Sequence, residues 1–338
     1  MPPSLASCEI HIRSFMSSSR AFLRTAVLGA CSALLLGACA GGDQATGPSS
    51  AVNPPTAPVA NRNAYDIQPR FVGDGITPRL REAVTRAVTR WSRVIVGDAG
   101  STTLNAKAGE CQPWMPAVNE TVNDLVVFVR SARIDGPNSI VAQASPCYVN
   151  AESKLPIVGY LEIDSEDLDA LVNRTVLDDV VLHEMGHVLG LGTLWNYKRS
   201  LLVGAGSDDP YFTGSGARSA FLAAGGNLYG GNPVPVENTG NQGTRDAHWR
   251  GSLFGTELMQ GVVQAGGMPL SSITIGSLAD LGYTVSLAAA DPFSMRQALR
   301  ADAGIPRDDA RTSLEKDVAR GPLFEVDRLG VPRRIGPR

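Results

Sequence analysis

His183 and His187 stand four residues apart, with Glu184 directly after the first, in the run His183-Glu184-Met185-Gly186-His187. On an α-helix, residues i and i+4 share a face, so both imidazoles can reach one metal ion. Glu184 projects beside them, where its carboxylate can take a proton from a water molecule without binding the metal. These residue types at this spacing suit metal-assisted hydrolysis. Histidine usage points the same way. The chain has four histidines, and His11 falls in a leader expected to be removed. His183, His187 and His248 remain, a set that suits a site for one zinc ion with an open fourth position. A core helix carrying two hydrogen-bonded histidines is the competing assignment, disfavoured by that economy.

A helix must position the pair. Val176, Leu177, Val180 and Val181 recur at helical spacing ahead of His183, Val188 and Leu189 extend the apolar side, and Gly190 and Gly192 stop the run. The spacing predicts a helix of about four turns. Earlier, Thr77-Pro78 supplies an N-cap and a first-turn proline, and Leu80, Val84, Val88, Trp91 and Ile95 line one face before Gly97. Residues 125–129 and 158–163 read as strands, and residues 272–281 as a last helix stopped by Gly282. The glycine-rich stretch 193–243 is long for a plain connection, which predicts a functional insertion or an irregular subdomain.

Composition narrows the class. A net charge of −3 gives no basic excess for nucleic acid, and 43% hydrophobic residues suffice for one sizeable core. Beyond the leader no apolar run is long enough to span a membrane. Four regions are expected. Residues 1–38 form a signal peptide, with Arg20 and Arg24 ahead of an apolar stretch. Residues 39–63 are a flexible tether rich in Gly, Ser, Pro, Ala and Asn. Residues 64–288 are the folded domain. Residues 289–338, rich in charge, Pro and Gly, are a peripheral or partly disordered tail with one short helix near 293–299.

Leu36-Gly37-Ala38-Cys39 resembles the bacterial lipobox. The resemblance implies cleavage before Cys39 and lipid on its thiol; an ordinary secretory signal is the alternative. Leu28-Gly29-Ala30-Cys31 has the same form but leaves too short an apolar segment. In an oxidising compartment Cys111 and Cys147, the cysteines of the folded part, would pair; two buried free thiols are the alternative.

Gly190 extends the histidine string to HExxHxxG, which resembles the start of the metzincin signature. The signature's third histidine would fall at Thr193, so the short form is broken. Leishmanolysin-like peptidases displace that histidine by a long insertion. His248 in Ala247-His248-Trp249, followed by Glu257-Leu258-Met259, resembles their pattern and their Met-turn over roughly residues 65–285. The resemblance implies an α+β, metzincin-like catalytic domain: a twisted mixed sheet, an active-site helix, and a C-terminal subdomain carrying the third zinc ligand and the Met-turn. His183, His187 and His248 would hold one Zn2+ and Glu184 would be the general base. Gly190 would allow a sharp turn, and Met259 would form a packing floor under the metal. The strand at residues 160–163 would be the edge along which extended substrate binds. The chain departs from the better-known eukaryotic members in lacking a large pro-region and many cysteines.

The expected function is zinc-dependent endopeptidase action on protein or peptide substrates, with Glu184 activating a zinc-bound water. The chain would be a monomer, exported and held at a bacterial envelope only by its lipid, or secreted. A surface-binding lipoprotein on a metzincin scaffold, without proteolysis, is the alternative. A site with Glu237 or Glu257 in place of the third histidine is another. Asp246 could orient a histidine, and Tyr160 or Tyr283 could donate to an oxyanion, although a solvated aspartate and packing tyrosines are the commoner roles. Trp249 reads as core or pocket wall.

Overall fold

Strand β1 (Ile67–Val72) opens the fold, and the N-capped helix α1 (Pro78–Val94) follows. The computed structural model describes residues 64–197, 200–229, 233–241, 243–304, 311–314, 316–319 and 321–337. The expected signal peptide, tether and Cys39 lie outside the described residues. The chain then runs through β2 (Ser101–Ala106), β3 (Val118–Asn123), β4 (Leu125–Ala132), β5 (Ala142–Asn150) and β6 (Pro156–Asp164). Helices α2 (Leu168–Asn173) and α3 (Leu177–Val188) come next, then β7 (Leu202–Val203), β8 (Tyr211–Phe212), α4 (Ser215–Ala223) and β9 (Val234–Pro235). The remainder comprises α5 (Gly251–Phe254), β10 (Val262–Gln264), α6 (Ser272–Leu281), α7 (Met295–Ala303), β11 (Arg311–Ser313), β12 (Pro322–Val326) and β13 (Pro332–Pro337). No helix among the described residues is long and apolar enough to cross a membrane.

The main sheet is mixed, in the order β1-β4-β6-β5-β12-β13. β1, β4 and β6 are parallel, β5 runs antiparallel to β6, and β12 runs parallel to β5. Side-chain alternation explains why β4 is apolar from Leu125 to Val129. Leu125, Val127 and Val129 join the large core under α1 and α3, while Val126 and Phe128 join a second core on the other face. The β2–β3 hairpin covers that second core, and a Cys111–Cys147 disulfide crosses it with Cα atoms 5.8 Å apart. Closing a loop of separation 36 stabilises the fold by about 3–4 kcal/mol on the chain-entropy estimate.

Two expectations are corrected here. The strand at residues 160–163 is not an edge: β6 lies between β4 and β5, and β5 is the strand whose outer side faces the later chain. Nor is the stretch after residue 288 a peripheral tail. Its short helix is α7, but β11 pairs with β10, and β12 adds to the main sheet. Apolar burial is the reason: Leu314, Leu323, Phe324 and Val326 are all buried, and Phe324 stacks on Tyr148 with ring centroids 5.2 Å apart. The 193–243 stretch holds the small sheet β7-β8-β9 and α4, which packs on α6.

Candidate metal centre

Helix α3 carries His183, Glu184 and His187, all fully buried. Helix α1 fixes it from outside: Trp91 Nε1 donates to the Leu182 carbonyl at 3.0 Å, and Arg86 pairs with Asp178 at 2.8 Å. Gly190 ends the helix at φ +108°, a left-handed turn that suits glycine, and Leu191 N–H bonds back to the Gly186 carbonyl. Thr193 donates its hydroxyl to the His187 carbonyl at 2.7 Å, capping the helix end.

The chain returns through His248, also buried. Its Nε2 lies 3.1 Å from Nε2 of both His183 and His187, which are 2.9 Å from each other. Each ring is held from behind by a backbone carbonyl: His183 Nδ1 by Leu258 at 2.7 Å, His187 Nδ1 by Leu191 at 2.8 Å, His248 Nδ1 by Thr244 at 2.9 Å. A carbonyl only accepts, so each Nδ1 carries the proton, and in the neutral ring Nε2 presents a lone pair. Three lone pairs facing one another in a dry pocket repel unless a cation sits among them. The donor set therefore fits a metal ion.

A fourth group joins them, one that sequence reasoning missed. Asp317, buried, brings Oδ2 to 2.9 Å from His248 Nε2 and 3.1 Å from His183 Nε2. His183, His187, His248 and Asp317 could together hold a metal ion, and they form the one such group among the described residues. Burial drives the His183 pKa down to about 4 against the pull of Asp317, which keeps its ring neutral as a ligand must be. Burial would also lower His248, but Asp317 outweighs it and the net shift is upward. Burial alone would raise Asp317; His248 and the other two imidazoles hold it well below the usual carboxylate range. Burial, then the charge of Asp317, pushes Glu184 well above the ordinary range, and neither Glu184 oxygen has a hydrogen-bond partner.

The geometry corresponds to a family pattern. The leishmanolysin peptidase family (M8) model matches residues 115–298, more than half of the chain. The chain belongs to the leishmanolysin family. This peptidase family is one of metalloproteases, in keeping with the buried histidine group and the mixed α+β fold. No curated protein matches the chain. The match stops at residue 298, so Asp317 lies outside it.

Other sequence candidates fall in different places. Glu257 and Glu237 are outside the metal group, because their carboxylates serve backbone and hydroxyl donors. Glu257 accepts from Met259 N, Ser271 Oγ and Thr274 Oγ1, and Glu237 from Thr239 Oγ1 and Gly251 N. Met259 lies against α3: a Cβ on Gly186 would come within 2.9 Å of its sulfur. Asp246 accepts from Gly206 N, and the group orienting His248 is the Thr244 carbonyl instead. Tyr283 donates to the Leu189 carbonyl, Tyr160 accepts from Gln112, and Trp249 stacks in the core on Trp195.

Proposed function

We propose that this leishmanolysin-family chain is a zinc endopeptidase of metzincin type, with His183, His187 and His248 holding one zinc ion and Glu184 as general base. The observation that carries this reading is the convergence of three Nε2 atoms beside a buried carboxylate without partners. Zinc in that cradle would supply Lewis acidity to the scissile carbonyl and to the attacking water. Glu184 takes a proton from the attacking water onto a carboxylate oxygen and delivers it to the leaving amine nitrogen. The carbonyls of Leu258, Leu191 and Thr244 hold the three rings in one tautomer throughout. Met259, packed on Gly186, supports α3 from below. Export as a lipoprotein through Cys39 is part of the same proposal, resting on the leader's sequence alone.

One observation favours the second reading, a binding protein with structural zinc. Asp317 completes a closed four-ligand set, the arrangement of structural sites. Glu184 argues against it, because a structural site gains nothing from a buried carboxylate with no partner, which costs about 1–3 kcal/mol. Chelation and reconstitution test the proposal. Casein cleavage should vanish on metal removal, return with zinc, and be absent from Glu184→Ala at every zinc concentration. Cleavage that persists in the stripped protein would refute it.

A further inference from the structure

We infer that the described residues of the segment from β11 to β12 (311–314, 316–319 and 321–326) occupy this protein's own substrate cleft as a tethered inhibitor, with Asp317 filling the metal's remaining position. The inference rests on the peptidase reading above and concerns a segment beyond the span matched to the family.

The segment bridges the two walls around the histidines. On one wall, β11 pairs antiparallel with β10, just after Met259, and Leu314 N–H donates to the Gly261 carbonyl at 3.0 Å. On the other, the segment lies along the outer side of β5. Ala144 N–H donates to the Asp317 carbonyl at 2.8 Å, Ser145 Oγ donates to the Ala319 carbonyl at 3.0 Å, and β12 then pairs with residues 148–150. Main-chain addition to a sheet edge is how extended peptides are commonly gripped. Here the chain's own segment takes that place.

Between the walls the segment passes over the metal group, and its chemistry there is that of an occupant that is not cut. What it offers to the three histidines is the Asp317 side-chain carboxylate. The Asp317 main-chain carbonyl is turned to β5 and already accepts from Ala144. No peptide carbonyl of this residue is therefore available for attack. The consequence is a sealed centre: His183, Glu184, His187, His248 and Asp317 are each 0% exposed. A centre that no water can reach cannot turn over a substrate while the segment stays in place.

A cavity of about 380 Å3 beside the group fits this account. Gly192, Thr193 and Ala247 from the histidine-bearing elements line it, and so do Val318 and Leu323 from the segment. It is a side-chain pocket of the cleft, walled on one side by the inhibitor.

The test uses the full chain loaded with cobalt(II) in place of zinc, comparing wild type with Asp317→Ala, and with the isosteric Asp317→Asn should the first misfold. The expected result is a changed visible spectrum, because one protein ligand is replaced by solvent. It is accompanied by hydrolysis of a quenched peptide that rises about tenfold or more, since a tethered competitor acts at roughly millimolar effective concentration. Superimposable spectra overturn the inference, as does measurable wild-type cleavage at a rate equal to that of the variants. A changed spectrum without cleavage by any of the proteins would sink the peptidase reading and leave Asp317 as the occupant.

Discussion

The backbone of Gly192 passes so close to Ala247 that a methyl group on Gly192 would lie 2.0 Å from the Ala247 carbonyl oxygen. Gly192 follows α3 and Ala247 precedes His248, so this contact sets how the third histidine approaches the first two. Gly192 also sits at φ +70°. Gly192→Ala adds about 1–2 kcal/mol of left-handed strain to about 1–3 kcal/mol of overpacking. The expected outcome is a melting point lower by several degrees together with loss of bound zinc. Unchanged zinc in the folded variant would show that the contact does not place His248.

His248 and Glu257 can be told apart as ligand and support. His248→Ala should lose most of its zinc. Glu257→Gln should keep zinc near one per chain but lose about 1–3 kcal/mol of stability, because a buried acceptor of several bonds is compromised. Zinc content by mass spectrometry and urea unfolding of each variant check this. Retained zinc in His248→Ala with loss in Glu257→Gln would reverse the assignment.

Acid should loosen β12 through Glu325. Burial would raise its pKa, but Lys154, Tyr197 and Arg333 hold it down at about 2, against 4.5 for the free side chain. The unfolded chain therefore takes up this proton first. The stabilisation is complete above about pH 4.5 and is lost as pH falls toward 2. The stability gap between wild type and Glu325→Gln should close across that window. A gap constant from pH 7 to 2.5 would contradict it.

Reduction and alkylation of Cys111 and Cys147 should lower stability by about 3–4 kcal/mol while leaving zinc bound, since the disulfide braces the β2–β3 face and not the histidines. Loss of zinc on reduction would show that the two faces of the sheet are coupled.

What the sequence made legible follows from periodicity and chemistry. Helix α1 could be read from its Thr77 cap and apolar face, α3 from its valines and the paired histidines, and α6 from its stop at Gly282. Strand β5 could not, because Pro146 and small polar residues interrupt any alternation, and its register to β6 shifts there. β12 has five residues inside a charged, glycine- and proline-rich stretch, so its place in the main sheet is set by partners distant in sequence. Asp317 was the hardest to see. It follows a lysine in that stretch, and nothing local distinguishes it from a solvated carboxylate. Only the pairing of β11 with β10, and Ala144 with the Asp317 carbonyl, brings it to the histidines.

The central claim is tested most directly by zinc content and casein cleavage of Asp317→Ala alone and combined with Glu184→Ala, so that the segment's carboxylate is out of the way in both. The account predicts about one zinc per chain in both proteins and a cleavage rate reduced at least about a hundredfold by removal of Glu184, the lower end of what a positioned general base supplies. Folded protein without zinc, or cleavage that survives the loss of Glu184, would contradict it.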